Sequence, residues 1–400
     1  MNPESSPFRP GQPVPVEFFV GRIDEIQRLR GMVRASCQGR FTIGFVSGER
    51  GIGKSSLVSF VRHLTEKEDG AAGCHVFLGG VDSLEAMARK VFDRILKENS
   101  EKPWFGKLAD FFGKHIRQVG LFGITVELDL SKEDMQRIVR NFASSLRDLV
   151  SKLSGDRKGI LLILDDINGL ASSPAFANWI KSTVDEVSTS ERPFPVCMLV
   201  VGIEERRQQL MQLQPSVARI FDLIDIKPWS DEEATQFYAQ TFESASVRVE
   251  PHALENLVRF TGGLPVLAHE IGDSVWRTAS SATLAPDGVW KGIFDAAEVV
   301  GRKFLEPQVL QAIRSQRYKS ILRKMAKRPL EMRFRRTELI KLLSLEEQKV
   351  LDNFLQRMKK LGALQVDKEG GPGAYRFPNY LHALYFAIES KRAERETADE

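Results

Sequence analysis

Gly48-Glu-Arg-Gly-Ile-Gly-Lys-Ser55 is the stretch that decides the fold. Its spacing, G-x-x-x-x-G-K-[ST], is what a backbone needs to wrap an anion, because the glycines admit angles a Cβ would forbid and let successive N–H groups turn inward. On such a loop Gly48, Glu49, Arg50, Gly51, Ile52 and Gly53 offer main-chain contacts to phosphate, continued by Lys54, Ser55 and Ser56 as a helix begins. Lys54 is expected to reach the β- and γ-phosphates as a catalytic cation, and the Ser55 hydroxyl to ligate Mg²⁺. The positive end of the helix favours the same anion. The flanks agree: Phe41–Ser47 is an apolar, β-rich run, and Leu57, Phe60, Val61 and Leu64 share one helical face downstream. Strand, glycine loop and helix in this order imply a nucleoside triphosphate with Mg²⁺.

A metal-bound triphosphate also needs a carboxylate from a neighbouring strand. Gly159-Ile-Leu-Leu-Ile-Leu-Asp165-Asp166 supplies one after an unbroken aliphatic run, the pattern of a strand buried on both faces of a parallel sheet. Asp165 is the expected Mg²⁺ partner, and Asp166 is placed to orient or deprotonate the attacking water. Taken without the loop, the same residues also fit a core strand that ends in two solvated turn residues. Phe194–Gly202 reads as a third buried strand; it runs into Ile-Glu-Glu-Arg-Arg207, so Glu204 or Arg206 is left to sense a γ-phosphate, unless both are a solvated helix start.

At 400 residues, with 42% hydrophobic and 28% charged residues, the chain is long enough for two or three domains. No apolar run approaches the roughly 18 residues of a membrane span, so no membrane partner is expected. Residues 1–15 read as a flexible, proline-rich lead-in without a signal-peptide pattern. Cys37, Cys74 and Cys197 are far apart and odd in number, which argues against a disulfide framework or zinc site and for a cytoplasmic location. From residue 301 onward the chain carries 22 Lys and Arg against 13 Asp and Glu, so its positive charge collects at the C-terminal end and invites a polyanion.

The fold class expected is α/β: a P-loop NTPase parallel sheet with helices on both faces at residues 16–228, then a helical lid and connector at 229–316 and a winged-helix domain at 317–390. Residues 391–400 read as a disordered charged tail. Strands are expected near 41–47, 74–79, 160–165 and 195–201. Ser230-Asp-Glu-Glu233 can form a capping box where the lid begins. Residues 99–131 read as an insertion, with an amphipathic helix over Trp104–Phe112 and an exposed hairpin or edge strand over Val119–Leu130; it is either an oligomerisation or DNA-contact element or a packed decoration.

In the C-terminal domain, helices are expected over Tyr318–Ala326 and Arg336–Leu343, and from the Ser344-Leu-Glu-Glu347 capping box to Leu361. A short β-wing follows around Lys368–Gly373. Arg317, Lys319, Arg333, Arg335, Arg336, Arg357, Lys359 and Lys360 are the basic residues expected to contact the phosphates of duplex DNA. A solvated basic face or a protein-binding surface fits the same pattern.

These pieces resemble the AAA+/STAND branch of P-loop ATPases, especially archaeal-type ATPases and replication initiators, which implies ATP as the nucleotide. Phe18-Phe-Val-Gly-Arg-Ile-Asp-Glu-Ile26 is similar to the segment preceding the P-loop in that family, which implies that Val20, Gly21 and Arg22 lie beside the base. Ser216-Val-Ala-Arg219 resembles the arginine-bearing segment, which implies an arginine finger at Arg219 acting on a neighbouring subunit's nucleotide. Thr261-Gly-Gly-Leu-Pro265 resembles the Gly-Leu-Pro signature of the lid and places Pro265 among the nucleotide contacts. The family's γ-phosphate arginine has no counterpart at the matching position, Arg277 coming a few turns later, and Asp166 stands where many members have Glu. Both departures imply slow hydrolysis. The resemblance implies a nucleotide switch that acts on DNA, alone or as a homo-oligomer, or a regulator in which the winged helix packs on the lid and meets a protein partner.

Overall fold

In a computed structural model, residues 6–12, 14, 19–99, 116–119, 125–128, 131–153, 157–279, 281–326 and 328–398 are described. The chain divides into two compact units, Pro13–Lys227 on the one hand and Met1–Gln12 with Pro228–Glu400 on the other.

The first unit runs α1 (Ile23–Cys37), β1 (Thr42–Ser47), α2 (Lys54–Leu64), β2 (Ala71–Phe77), α3 (Leu84–Asn99), β3 (Ile116–Val119), β4 (Thr125–Leu128), α4 (Lys132–Arg140), α5 (Phe142–Leu153), β5 (Gly159–Asp165), α6 (Pro174–Ser188), β6 (Val196–Val201), α7 (Glu204–Leu213) and β7 (Asp222–Asp225). Five strands pair in parallel in the order β2-β5-β6-β1-β7. All their carboxyl ends therefore lie along one edge, where ligands of open α/β sheets bind. The four expected strands are present; β2 begins earlier than expected, because Ala71, Ala72 and Gly73 are drawn into register with Gly159, Ile160 and Leu161. β7 carries no apolar run (Asp-Leu-Ile-Asp) and was not expected; it forms because it pairs with Gly44–Ser47 of β1. Helices and sheet share a core of Phe45, Leu162, Leu164, Phe92, Phe142, Phe176 and Phe194, all buried.

Where a hairpin or edge strand is expected over Val119–Leu130, β3 and β4 pair antiparallel with Ile116 opposite Leu128 and Val119 opposite Thr125, so the first strand begins three residues earlier than expected. The amphipathic stretch expected at 104–112 lies outside the described residues.

The second unit starts at the capping box: Glu233 N–H donates to Ser230 Oγ at 3.2 Å and Ser230 N–H to Glu233 Oε2 at 3.0 Å. There follow α8 (Asp231–Ser244), β8 (Arg248–Val249), α9 (Pro251–Thr261), α10 (Pro265–Thr278), β9 (Thr283–Leu284) and α11 (Pro286–Val300), then a π-helical segment, Gly301–Leu310. Proline at the first turn of α9, α10 and α11 suits positions whose N–H has no helical partner. Between α9 and α10, Gly263 takes φ +73° and its carbonyl accepts from Trp229 N–H at 2.8 Å; a Cβ there would stand 2.6 Å from Trp229 O. The Gly-Leu-Pro turn is thus clamped against the first residues of the lid.

Residues 6–12 depart from the flexible lead-in that composition implied. Phe8 is buried edge-on to Phe237 and Phe242, and its ring fills the space where Gly272 lacks a side chain. Burial of one aromatic ring is worth about 2–3 kcal/mol, enough to anchor a short arm.

The C-terminal elements are α12 (Gln316–Ala326), β10 (Arg333–Arg335), α13 (Arg336–Ile340), α14 (Leu345–Gln348), α15 (Leu351–Lys360), β11 (Gln365–Val366), β12 (Ala374–Arg376) and α16 (Tyr380–Ala398). β10, β12 and β11 make a three-stranded antiparallel sheet over a core of Ile321, Met325, Phe334, Leu339, Phe354, Met358 and Phe377. Three expectations are corrected here. The second helix stops at Ile340. The third is two pieces broken at Val350, whose φ of −109° and ψ of 0° leave the helical range. The supposed tail is helical as far as Ala398: 380–398 contains no Gly or Pro and is rich in helix-forming Ala, Glu, Lys and Arg.

Candidate functional site

The loop between β1 and α2 sits at the carboxyl edge of the sheet. Gly53 caps α2 in the left-handed region, φ +93°, and among the described residues no side chain bonds the free N–H groups of the first turn. An uncapped helix N-terminus entered through glycine, with a half-buried lysine beside it, fits a phosphate. Lys54 Nζ donates to the carbonyls of Gly48 at 3.0 Å and Glu49 at 2.7 Å, across the mouth of the loop. Burial lowers the Lys54 pKa, and Asp165 and Asp166 oppose that shift, so both carboxylates stand within electrostatic reach of the ammonium. Ser55 has no side-chain hydrogen bond among the described residues and is open to a metal. Ser56 differs: its Oγ accepts Val14 N–H at 3.2 Å, which ties it to the N-terminal segment.

Asp165 ends β5 with its carboxylate buried, and Oδ2 is hydrogen-bonded to His75 Nε2 of β2 at 2.9 Å. His75 was not expected at the site; the only signal for it is a lone polar residue in the otherwise apolar run Ala71–Phe77. Asp166 is half-buried with φ +57°, a left-handed conformation that Asp tolerates better than most residues. Asn168 Nδ2 donates to Asp166 Oδ1, and Arg206 Nε donates to Asn168 Oδ1 at 3.3 Å. Of the two residues expected past β6, Arg206 is therefore joined to Asp166 through Asn168. Glu204 is instead taken by Arg207 and Gln208, and the Arg207 guanidinium holds its carboxyl below the ordinary range.

Val20 and Arg22 are buried and Gly21 and Arg22 both adopt positive φ, so the segment before α1 is a tight, fixed turn. The Arg22 guanidinium is directed at main chain, donating to Lys227 O at 2.5 Å and reaching Ile52 O at 3.5 Å. Arg219 is exposed and lies three residues before β7, on the amino-terminal side of the sheet. The P-loop is at the opposite edge, so Arg219 is not brought to the nucleotide loop of its own chain. Pro265 opens α10 in the second unit, where Arg277 is paired with Asp273 at 2.8 Å.

Residues 19–200 match the model of a family described as the AAA ATPase domain. Residues 19–200 are an AAA ATPase domain, and the chain is an ATPase. A comparison with curated proteins finds no sequence relative. Among solved structures, a Walker-type ATPase of Pyrococcus abyssi is 17% identical, with a TM-score of 0.56 over 92% of this chain and 96% of that one. The ORC2 protein of Aeropyrum pernix, in complexes with ADPNP and ADP, is 16% identical, with a TM-score of 0.57 over 95% and 96%. At such identities the likeness is one of fold, and it extends beyond the ATPase domain to nearly the whole chain. No helix among the described residues is long and apolar enough to cross a membrane.

The basic residues of the C-terminal region fall into two groups. Arg333 pairs with Glu369 at 2.6 Å, Arg336 with Asp352 at 2.7 Å and Arg317 with Glu346 at 3.4 Å, while Arg335 donates to Gly370 O at 3.0 Å. Among the described residues no ion pair involves Lys319, Arg357, Lys359 or Lys360. Arg357 and Lys360 border an open cleft of about 290 Å³ together with Arg314, Tyr318, Asn353 and Gln356. Arg314, which sequence reasoning placed only within a basic run, thus joins the C-terminal end of α15.

Proposed function

We propose that this ATPase is a nucleotide-dependent switch whose C-terminal region is a winged helix that binds duplex DNA. ATP is held by the main chain of Gly48–Ser56 and by Lys54. Ser55 and Asp165 would hold Mg²⁺, which supplies charge neutralisation of the phosphates. Asp166 orients the attacking water. Turnover is slow because the Asp166 carboxylate is already held by Asn168, and because Arg219 serves only a nucleotide presented by a second copy of the chain. Lys54, set between its own loop carbonyls and two carboxylates, is the observation that carries the nucleotide half of this reading.

The DNA half rests on the cleft bordered by Arg314, Arg357 and Lys360, cations that no carboxylate among the described residues pairs. Each phosphate contact releases counterions, so binding there falls steeply with salt. A cytoplasmic location suits the three free cysteines, of which Cys74 and Cys197 are buried with thiol pKa values raised by burial. The test is ATP turnover with and without duplex DNA across a salt series. Stimulation that fades with salt supports the reading; turnover indifferent to DNA, with no DNA bound at low salt, overturns its second half.

A second reading, a STAND-type regulator directed at a protein partner, is favoured by one observation. α16 lies against the lid: the Tyr385 ring fills the space beside Gly301, Arg259 stacks over Tyr380 at 5.1 Å, and Arg392 pairs with Glu298. It expects co-purifying ADP and a response to nucleotide without DNA.

A further inference from the structure

β2 is apolar except for His75, and a ring with two polar nitrogens is costly to bury without a partner. Register explains where it points. Phe77 of β2 lies opposite Asp165 of β5 and His75 opposite Ile163, so His75 and Asp165 are diagonal neighbours on one face of the sheet. Both side chains are only 4% exposed, and Nε2 stands 2.9 Å from Oδ2. The Phe77 ring stacks on the imidazole with centroids 4.4 Å apart and shields the pair from one side. Among the described residues no other side chain hydrogen-bonds Asp165.

We propose that His75 is a positioning residue for the metal carboxylate. With the proton on Nε2 it donates to Asp165 Oδ2, fixes the plane of the carboxylate and leaves Oδ1 to the metal. The Lys54 ammonium is within electrostatic reach, and an unheld Asp165 would be free to turn toward it. His75 thus keeps the two charges of the site apart, the lysine for phosphate and the aspartate for the cation. The inference rests on the reading of Asp165 as a Mg²⁺ ligand. Outer-shell partners of this kind typically change metal affinity 10–100-fold when removed.

The experiment titrates Mg²⁺ into the full chain bound to a fluorescent ADP analogue and reads the half-saturating Mg²⁺ concentration beside the metal-free affinity for the analogue. His75→Leu removes the donor; His75→Gln places an amide N–H near the position of Nε2. The expected result is a roughly 10–100-fold rise in half-saturating Mg²⁺ for His75→Leu, recovery to within a few-fold for His75→Gln, and a fall in metal-free affinity smaller than the Mg²⁺ effect, as Asp165 draws on Lys54. If His75→Leu does not fold, His75→Asn, too short to reach Oδ2, replaces it with the same expectation. A variant that loses thermal stability yet keeps the wild-type Mg²⁺ dependence makes His75 a packing residue and overturns the proposal. Asp165→Asn separates the two levels: unchanged Mg²⁺ dependence there overturns the ligand reading itself, whereas a large change beside an unaffected His75→Leu overturns only the role of His75.

Discussion

Arg22 donates from Nη1 to the carbonyl of Lys227 at 2.5 Å while Nη2 reaches Ile52 O, joining the end of β7 to the P-loop through one buried guanidinium. The side chain expected beside the base thus also straps the loop expected to bind the phosphates. Arg22→Ala leaves two carbonyls without this donor, at about 1–3 kcal/mol each where they are buried. The expected outcome is a lower melting temperature and at least tenfold weaker nucleotide binding. Calorimetric titration checks it, and wild-type affinity would return Arg22 to an ordinary packing role.

Lys54→Ala removes the only ammonium that bridges Gly48 O and Glu49 O among the described residues. Wild-type protein gains about 2.7 kcal/mol from a ligand present at 100 times its Kd. The melting temperature of Lys54→Ala should barely move with ATP. A full ATP-induced shift in that variant would show that the nucleotide lies elsewhere.

Asp166→Asn keeps the shape of the side chain and its contact with Asn168 but removes the charge that orients or accepts from water. Turnover should fall about 10²-fold or more, with nucleotide affinity within a few-fold. Asn168→Ala frees Asp166 from its present hydrogen bond and is expected to raise turnover. A phosphate-release assay reads both, and a slower Asn168→Ala enzyme would make Asn168 and Arg206 supports of the active carboxylate.

Local signals carried most of the nucleotide site. The P-loop, the aliphatic run into Asp165 and the Ser230 and Ser344 capping boxes are each written within a dozen residues, where glycine geometry or side-chain reach dictates the outcome. What escaped was long-range. His75 meets Asp165 across 90 positions, Arg22 meets Lys227 across 205, and Phe8 is buried by residues more than 200 positions away. Periodicity within an element is silent on such partners. The same limit applies to charge: a count of basic residues ranks Arg336 with Arg357, although Asp352 neutralises the first, and no ion pair among the described residues involves the second.

That difference separates two sets of variants. Arg314→Ala, Arg357→Ala and Lys360→Ala should each weaken DNA binding and reduce the salt slope by about one. Arg333→Ala and Arg336→Ala remove cations already matched by Glu369 and Asp352, so their effect on the slope should be smaller. Fluorescence anisotropy on one duplex at several salt concentrations distinguishes the sets. Equal slopes across all five would mean that the ion pairs open to admit DNA.

Acid should act first on the second unit. Burial pushes both His269 and His382 down to about 4, so the folded protein keeps them neutral where an unfolded chain takes up protons near 6.5. The unfolded state then binds more protons, and stability is complete above pH 6.5 and declines as pH falls toward 4. The loss is on the order of 3 kcal/mol for each histidine across that window. Glu347 acts lower still. Burial raises its pKa, but bonds from Lys324, Ser320 and Ser344 outweigh that and hold it at about 2, so its contribution fades only below about 4.5. Urea midpoints measured between pH 7.5 and 4.5 should fall in wild type and fall less in His269→Phe, where a ring of similar size takes its place beside Phe8 and Phe237. An identical pH slope in the variant would show that His269 is already protonated in the fold, with Phe8 and the arm carrying it to accommodate the charge.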